Sequence, residues 1–476
     1  MNNNALSAYI KDTFKDVNEL GNKIKNNPNI RYRNTYYKIK KHIDDFLGGY
    51  VENRFITLAG LRGVGKTTLL LQIYNYLINE KNISKKRILY LSVDDVINFL
   101  DSNIYEVVNY FIEEFHETKP VMLDEKLFIL IDEAQFDKKW SIAGKVLYDK
   151  TENIFFIFTG SSALNIEMNV DAVRRVKKEI LFPLNFLEYN ELKNNIFPIN
   201  EYQETINNLI FKNELIDDAK KKEEEYFFNL LNLKKPLKKE WDNFLLTGGF
   251  PFGLKMEEDH IYRKTVDMIT RIIENDIFNL KSFNTDTKSI ISRIICYIGL
   301  QEPGGTSNSK LAKILEKSQV QIREILRVLE KTHLIFSVKP YGSGEKQIKK
   351  PWEYYFLCPS IIAAIRYRFG KFDKFDTQFL GLLAESYVAS YLFKVKEEEN
   401  YYFNLYYDPR KNGVDFLLDT WDNIIPVEVG YGKKDKKQIK LAINHYKSPY
   451  GIIISNTTSK IHRDDDIIYI PLSSIP

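Results

Sequence analysis

Several things are scarce in this chain, and each scarcity removes a class of protein. It holds two cysteines, Cys296 and Cys358, each inside an apolar run. A disulfide scaffold is therefore excluded, and two buried thiols in a reducing compartment are expected. Apolar runs are short, none approaching the roughly eighteen residues that a membrane-spanning helix requires. Met1-Asn2-Asn3-Asn4 opens on a polar stretch unlike a signal peptide, so the expectation is a cytoplasmic protein with no membrane partner. An excess of one charge is missing too, with 68 Lys plus Arg against 64 Asp plus Glu. No global field then gathers nucleic acid, and any such contact must come from local patches.

What remains is an ordinary globular composition, 44% hydrophobic and 28% charged. A chain of 476 residues is too long for one core, and such a length suggests about three domains.

The most informative stretch is Gly60-Leu61-Arg62-Gly63-Val64-Gly65-Lys66-Thr67-Thr68. Before it, Phe55-Ile56-Thr57-Leu58-Ala59 reads as a short buried strand; after it, Leu69, Leu70, Ile73, Tyr74 and Leu77 recur at helical spacing. Strand, glycine-rich turn and helix are the context that the GxxxxGK[ST] spacing demands of a phosphate-binding loop. The glycines let backbone N–H groups turn inward, and the following helix points its positive end at the same place. ATP is the expected ligand. Gly60, Arg62, Gly63, Val64, Gly65, Lys66, Thr67 and Thr68 line its phosphates, Lys66 reaching the β- and γ-phosphates and Thr67 holding Mg²⁺.

Along the chain, residues 1 to 50 show helical spacing broken at Asn27-Pro28 and ended by Gly48-Gly49. Arg87 to Asp95 reads as a buried strand ending in acids, followed by a helix over Ile104 to Phe115. Lys126-Leu127-Phe128-Ile129-Leu130-Ile131-Asp132-Glu133 then has the Walker B form, five apolar residues before two acids. A carboxylate at that strand tip, Asp132, orders the metal, and Glu133 orients water. Asn153 to Ser162 is a further buried strand with hydroxyls at its tip. Ser161 is the first candidate for sensing the γ-phosphate and Thr159 the second; the alternative is that they cap a helix starting near Ala163. Arg174-Arg175 precedes Ile180 to Leu184, read as the last core strand, and Arg175 is either a finger acting on a neighbouring subunit's nucleotide or a solvated surface residue.

Residues 186 to 285 look helical. Asp217 to Glu225 reads as a solvated charge run, Lys234 to Lys239 as a basic loop, and Thr247-Gly248-Gly249-Phe250-Pro251 as a tight turn. From 287 the pattern becomes three short helices (Ile290 to Leu300, Ser309 to Glu316, Gln319 to Lys331) and two strands (Leu334 to Val338, Trp352 to Leu357) around a basic, glycine-tipped wing, Lys339 to Lys350. This is the order of a winged helix-turn-helix, with Gln319, Gln321, Arg323 and Arg327 suited to DNA; such modules also join domains or bind protein. The last hundred residues hold a helix carrying Glu385, then two strands bearing Asp415 and Glu428, a carboxylate set of the kind that holds a metal against a scissile phosphate.

The Walker elements, the segment Phe182-Pro183-Leu184-Asn185-Phe186-Leu187-Glu188-Tyr189, the Gly248-Gly249-Phe250-Pro251 turn and the winged-helix pattern together resemble the prokaryotic archaeal-type AAA-family ATPases, relatives of the signal-transduction ATPases. In that family a domain similar to PD-(D/E)xK restriction endonucleases commonly follows, and residues 375 to 476 resemble it. The endonuclease pattern expects Lys two residues after the second acid, where this chain has Gly430; Lys433, Lys434 or Lys437 can supply the amine, or the site is degenerate. The resemblance implies an α/β fold with a P-loop ATPase parallel sheet core, in the order 1–50 N-terminal helices, 51–185 ATPase core, 186–285 helical lid, 286–370 winged helix and 371–476 restriction-endonuclease-like domain.

The expected function is a Mg²⁺-dependent, ATP-hydrolysing switch or motor acting with DNA, in defence or DNA handling, with nucleotide at the subunit interfaces of a homo-oligomer. The alternatives are an ATP-gated DNA nuclease with its metal on Glu385, Asp415 and Glu428, and a regulatory scaffold that binds proteins.

Overall fold

The computed structural model describes residues 3–27, 30–161, 168, 170–277, 285–301, 306–398, 401–432 and 435–476. It divides into one compact unit formed by Met1–Phe182 and a second in which Pro183–Ile277 packs with the C-terminal half.

In the first unit the order is α1 (Asn3–Lys25), α2 (Asn34–Leu47), β1 (Phe55–Ala59), α3 (Lys66–Asn79), β2 (Ile88–Ser92), α4 (Val93–Leu100), α5 (Ile104–Phe115), β3 (Leu127–Asp132), α6 (Trp140–Lys150), β4 (Ile154–Gly160), α7 (Val170–Val173) and β5 (Lys177–Ile180). The strands form a five-stranded parallel sheet in the order β2-β3-β4-β1-β5. β1, β3 and β4 are buried along their whole length, which is why they read as continuous apolar runs rather than alternating ones. One sheet face is covered by α1, α5 and α6: Leu6, Ile10, Val107, Phe111 and Leu147 share a core with Leu89, Ile129 and Phe156. α5 shows how the sequence produces this. Its buried residues Ile104, Val107, Val108, Phe111 and Ile112 form one helical stripe, and the Asn103 side chain caps the helix by accepting from the Glu106 N–H.

Two boundaries differ from the sequence expectation. Asp94 and Asp95 lie in the first turn of α4, not at a strand tip, where their charge complements the helix dipole. The last strand is Lys177–Ile180 rather than Ile180 to Leu184; beyond it the chain runs on without a strand partner, tied by the Leu181 N–H to the Ala59 carbonyl at 2.8 Å.

The second unit begins with α8 (Phe186–Tyr189) and a π-helical turn at Asn190–Asn194. Then come α9 (Tyr202–Lys212), α10 (Ile216–Leu230), α11 (Leu237–Thr247), α12 (Glu258–Arg271), a second π-helical turn at Ile272–Ile277, α13 (Thr285–Leu300), α14 (Asn308–Leu315) and α15 (Gln319–Lys331). β6 (Ile335–Pro340), α16 (Gly344–Lys349), β7 (Glu353–Phe356), α17 (Pro359–Arg368), α18 (Thr377–Glu397), β8 (Asn404–Tyr407), β9 (Phe416–Asp419), β10 (Ile424–Gly430), α19 (Lys436–Tyr446), β11 (Gly451–Ser455), β12 (His462–Asp464) and β13 (Ile467–Pro471) complete it. Its eight strands form one mixed sheet, β12-β13-β11-β10-β9-β8-β6-β7. Among the described residues no helix is long and apolar enough to cross a membrane.

Here the tertiary structure departs from the modular expectation. The segment expected as an ATPase lid shares its core with the C-terminal residues: Trp241 and Phe244 pack on Tyr387 of α18, whose hydroxyl accepts from the Phe186 N–H at 3.1 Å. Within the charge run of α10, Glu223 is buried and accepts from the Ile461 N–H at 2.5 Å and from the Ser474 hydroxyl, so that side chain is a core residue rather than part of a solvated face. Part of the expected wing, Gly344–Lys349, is folded into α16, and β6 pairs in parallel with β8 through Lys339 and Pro340. The Gly248-Gly249 turn has a packing cause. A Cβ on Gly249 would lie 1.8 Å from the Cys358 sulfur, and the Gly249 carbonyl accepts from the Leu184 N–H at 2.8 Å.

Candidate functional site

The site lies in the first unit, at the edge of the sheet where the parallel strands end, the side on which ligands of open α/β sheets sit. β1 delivers the chain to Gly60, where a Cβ would come within 2.4 Å of the Leu181 carbonyl oxygen; only glycine fits. The loop closes with Gly63 at φ 86° and Gly65 at φ 101°, left-handed geometry that glycine adopts without strain, and α3 begins at Lys66. The first-turn N–H groups of α3 therefore open onto the loop, a positive end without intrahelical acceptors. Lys66 is buried, and its ammonium donates to the Gly60 carbonyl at 2.9 Å and the Leu61 carbonyl at 3.3 Å.

Asp132, at the end of β3, is the convergence point. The Thr67 hydroxyl donates to its Oδ2 at 2.7 Å and the Tyr90 hydroxyl to the same atom at 3.1 Å; the Thr159 hydroxyl donates to Oδ1. Thr159 also accepts from the Glu133 N–H at 3.2 Å. Sixty-five residues of sequence separation between Thr67 and Asp132 are thus closed by one hydrogen bond. Tyr90 was not marked by the sequence reading, although it occupies the strand beside the Walker B strand. Its burial and the neighbouring carboxylate push the phenol far above its ordinary pKa, so it stays a donor.

Glu133 takes left-handed backbone geometry, φ 57°, immediately after the strand, which turns its side chain out of the sheet register. Its Oε2 accepts from Gln135 Nε2 at 2.5 Å and lies 3.7 Å from the Arg62 guanidinium. The structure therefore gathers Arg62, Lys66 and Thr67 from the glycine loop, Asp132 and Glu133 from the end of β3, and Thr159 from β4, three separate segments. Ser161 is buried just past the end of β4, but it is Thr159 that bonds Asp132. β4 lies between β3 and β1. The helix expected near Ala163 lies outside the described residues.

Arg175 stands apart. It precedes β5, at the edge where the strands begin, and binds Asp149 at 2.5 Å and the Asp171 carbonyl at 2.6 Å. From that edge it cannot reach the phosphate loop of its own chain.

In the second unit, Glu385, Asp415 and Glu428 lie on or beside α18, β9 and β10. The β9–β10 hairpin brings Asp415 Oδ2 to the Val429 N–H at 2.6 Å, next to the buried Glu428. Glu385 accepts from the Tyr355 hydroxyl at 2.9 Å, and that hydroxyl also lies 3.0 Å from Glu353, an acid the sequence reading passed over. Among the described residues no group of three His, Cys, Asp or Glu side chains has the spacing of a metal site. Lys433 and Lys434 lie outside the described residues; Lys437 is in the first turn of α19.

Comparison with known proteins matches three stretches of the chain. Residues 52–190 match the family model described as an AAA domain, while residues 238–370 and 380–475 match two families described as domains of unknown function, DUF8612 and DUF4143. Protein MJ1637 of Methanocaldococcus jannaschii is 33% identical over 445 residues, 92% of this chain and 89% of the relative. Protein MJ1544 of the same organism is 24% identical over 307 residues, 63% of this chain and 59% of that protein. Among solved structures, AMPPCP-bound DnaA from Aquifex aeolicus is similar at a TM-score of 0.26 and 15% identity, covering 64% of this chain and 90% of that one. Drosophila ORC bound to AT-rich DNA and Cdc6 follows at 0.20 and 11%, covering 77% and 97%.

Proposed function

This chain belongs to the same family as MJ1637 of Methanocaldococcus jannaschii, with an AAA domain in its N-terminal part, and from that premise we propose that it binds ATP with magnesium and hydrolyses it as a conformational switch. One observation carries the proposal: Lys66, Thr67, Asp132 and Glu133, remote in sequence, meet at the mouth of a glycine loop that opens a helix.

The donor set fits both groups. Loop N–H groups and the Lys66 ammonium suit phosphate oxygens, and a hydroxyl bonded to a carboxylate, Thr67 with Asp132, suits a hard divalent cation. Magnesium, when bound, supplies charge neutralisation on the phosphates. The chain's own residues do the rest. Lys66 exchanges the Gly60 and Leu61 carbonyls for phosphate oxygens. Thr159 and Tyr90 hold Asp132 in place, and Glu133, released from Gln135 and Arg62, accepts a hydrogen bond from water and orients it.

Lys66→Ala is expected to abolish turnover, and Glu133→Gln to retain nucleotide binding without it. Calorimetry with ATP and magnesium beside a phosphate-release assay checks both, and normal turnover in either variant refutes the assignment.

The partner we propose is duplex DNA, contacted by the helical module of the second unit. Gln319, Arg323 and Arg327 recur every four residues along α15 and are exposed, while α16 and its flanks add exposed Lys346, Lys349 and Lys350. Gln321 is also exposed but is spent on a capping box with Ser318. Binding should weaken steeply with salt, and affinity that ignores salt would instead favour a protein partner. A homo-oligomer with Arg175 acting on the neighbour's nucleotide is consistent with its place before β5; it requires that the Asp149 pair open.

A second reading, phosphodiester cleavage, is favoured by the hairpin that sets Asp415 beside Glu428. Against it stand Gly430 and the internal hydrogen bonds already made by Glu385 and Asp415. Plasmid nicking with magnesium or manganese, lost in both Asp415→Ala and Glu428→Ala, would establish it.

A further inference from the structure

Arg33 lies between α1 and α2, outside every motif, yet it is buried. Its two terminal nitrogens are both used on backbone: Nη1 donates to the Val64 carbonyl at 3.0 Å, and Nη2 to the Phe182 carbonyl at 2.9 Å. Val64 is inside the phosphate loop. Phe182 ends the main segment of the first unit, directly before Pro183.

From this geometry we infer that Arg33 is a positioning residue with two roles: it sets the orientation of a phosphate-binding peptide, and it makes the state of that peptide felt at the chain's exit from the ATPase unit. The inference rests on the ATP-binding proposal above.

The first role follows from peptide planarity. In a trans peptide the C=O of Val64 and the N–H of Gly65 point in opposite directions across one rigid plane. Anchoring the carbonyl on Arg33 therefore turns the Gly65 N–H away from Arg33. Without the anchor this plane is poorly restrained, because glycines flank Val64 on both sides and Gly65 already sits at φ 101°. A planar guanidinium is suited to the task, since its fork presents two donors at fixed separation.

The second role follows from three contacts on one short segment. The Leu181 N–H donates to the Ala59 carbonyl at 2.8 Å, and Gly60 is pressed against the Leu181 carbonyl so closely that a Cβ would fall 2.4 Å from it. Phe182, the next residue, shares Arg33 with Val64. Both ends of the phosphate loop are thus fastened to residues 181 and 182. A loop peptide that shifts to meet a phosphate must move Arg33, and the Phe182 carbonyl with it.

The test is hydrogen exchange of the Leu181 and Phe182 amides in the full chain, with and without ATP and magnesium, in wild type, Arg33→Ala and Arg33→Lys, alongside nucleotide affinity and steady-state kinetics. In wild type, ATP is expected to slow exchange at these two amides. In Arg33→Ala that response should vanish while ATP still binds, with kcat down about tenfold, the scale of an ordinary coupling energy. Arg33→Lys keeps the charge and lacks the fork, so it should recover part of the lost kcat but not the exchange response; it serves the same comparison if the alanine variant folds poorly. An undiminished response in either variant overturns the inference, as does a wild type that binds ATP with these amides unchanged. A wild type that binds no ATP overturns the ATPase proposal itself.

Discussion

Replacing Glu353 with glutamine should stabilise the second unit above neutral pH, and the size of the effect can be worked from the structure. Glu353 begins β7, and its Oε2 lies 3.0 Å from the Tyr355 hydroxyl, which is also 2.9 Å from Glu385 Oε1. A phenol has one hydrogen and cannot donate to both carboxylates at once; both contacts are satisfied only if one acid is protonated and donates to the phenol oxygen. Tyr355 itself does not ionise, because burial and the surrounding acids push its pKa far up. Burial, together with the charge of Asp415 and against the Tyr355 hydrogen bond, raises Glu353 to about 7. The folded state thus prefers the neutral acid. Below the unfolded value near 4.5 the group costs nothing, and stability falls as pH rises through the interval up to about 7. At 1.36 kcal/mol per unit the full loss is about 3 kcal/mol, or about 2 kcal/mol once the solvent still reaching this half-buried side chain is allowed for. Glutamine reproduces the protonated form, neutral and able to donate to Tyr355. Native-state hydrogen exchange at β7 and β9 amides, followed from pH 5 to 8.5, should show Glu353→Gln equal to wild type at the acid end and more protected by about 2 kcal/mol at the alkaline end. Parallel profiles for the two proteins would refute the assignment of the shared proton to Glu353.

Two further outcomes follow from contacts already described. Tyr90→Phe removes one donor from Asp132 without changing shape; a hydrogen bond to a charged group contributes about 1.5–3 kcal/mol, so magnesium-dependent turnover should fall at least several-fold while the fold is kept, and unchanged kinetics would show that Thr67 and Thr159 suffice. Gly249→Ala puts a methyl group 1.8 Å from the Cys358 sulfur; overpacking of this kind costs about 1–3 kcal/mol or more, and thermal unfolding should show it, with partial recovery in the double variant Gly249→Ala, Cys358→Ala.

The phosphate loop, the Walker B strand and the strand between them were legible because each is contiguous and its signal is local: glycine where the backbone must turn left-handed, unbroken apolar residues where a strand is covered on both faces. Helix boundaries were readable where a cap coincides with an apolar stripe, as at α5 and α15. The strand before Pro183 was displaced, since Leu181, Phe182 and Leu184 are apolar because they are buried without being a strand; the Leu181 and Phe182 carbonyls meet Gly60 and Arg33 instead of continuing the pairing of β5. Glu223 was misplaced because a buried acid within a charge run looks like its solvated neighbours, and only the Ile461 amide and Ser474 hydroxyl, more than two hundred residues away, distinguish it.

The sequence by itself determined that a glycine loop ending in Lys66-Thr67 stands between a strand and a helix and that two acids close a later strand, since spacing and composition over a few residues suffice for both. Only the tertiary structure decided which groups serve them. Tyr90 on Asp132, Arg33 on Val64 and Phe182, and Tyr355 between Glu353 and Glu385 each depend on side chains that the fold brings together, where chain order says nothing about distance. The same holds for the two-unit division: the helices after Pro183 carry no mark of the core they join, because that core is completed by strands and aromatic side chains from the far end of the chain.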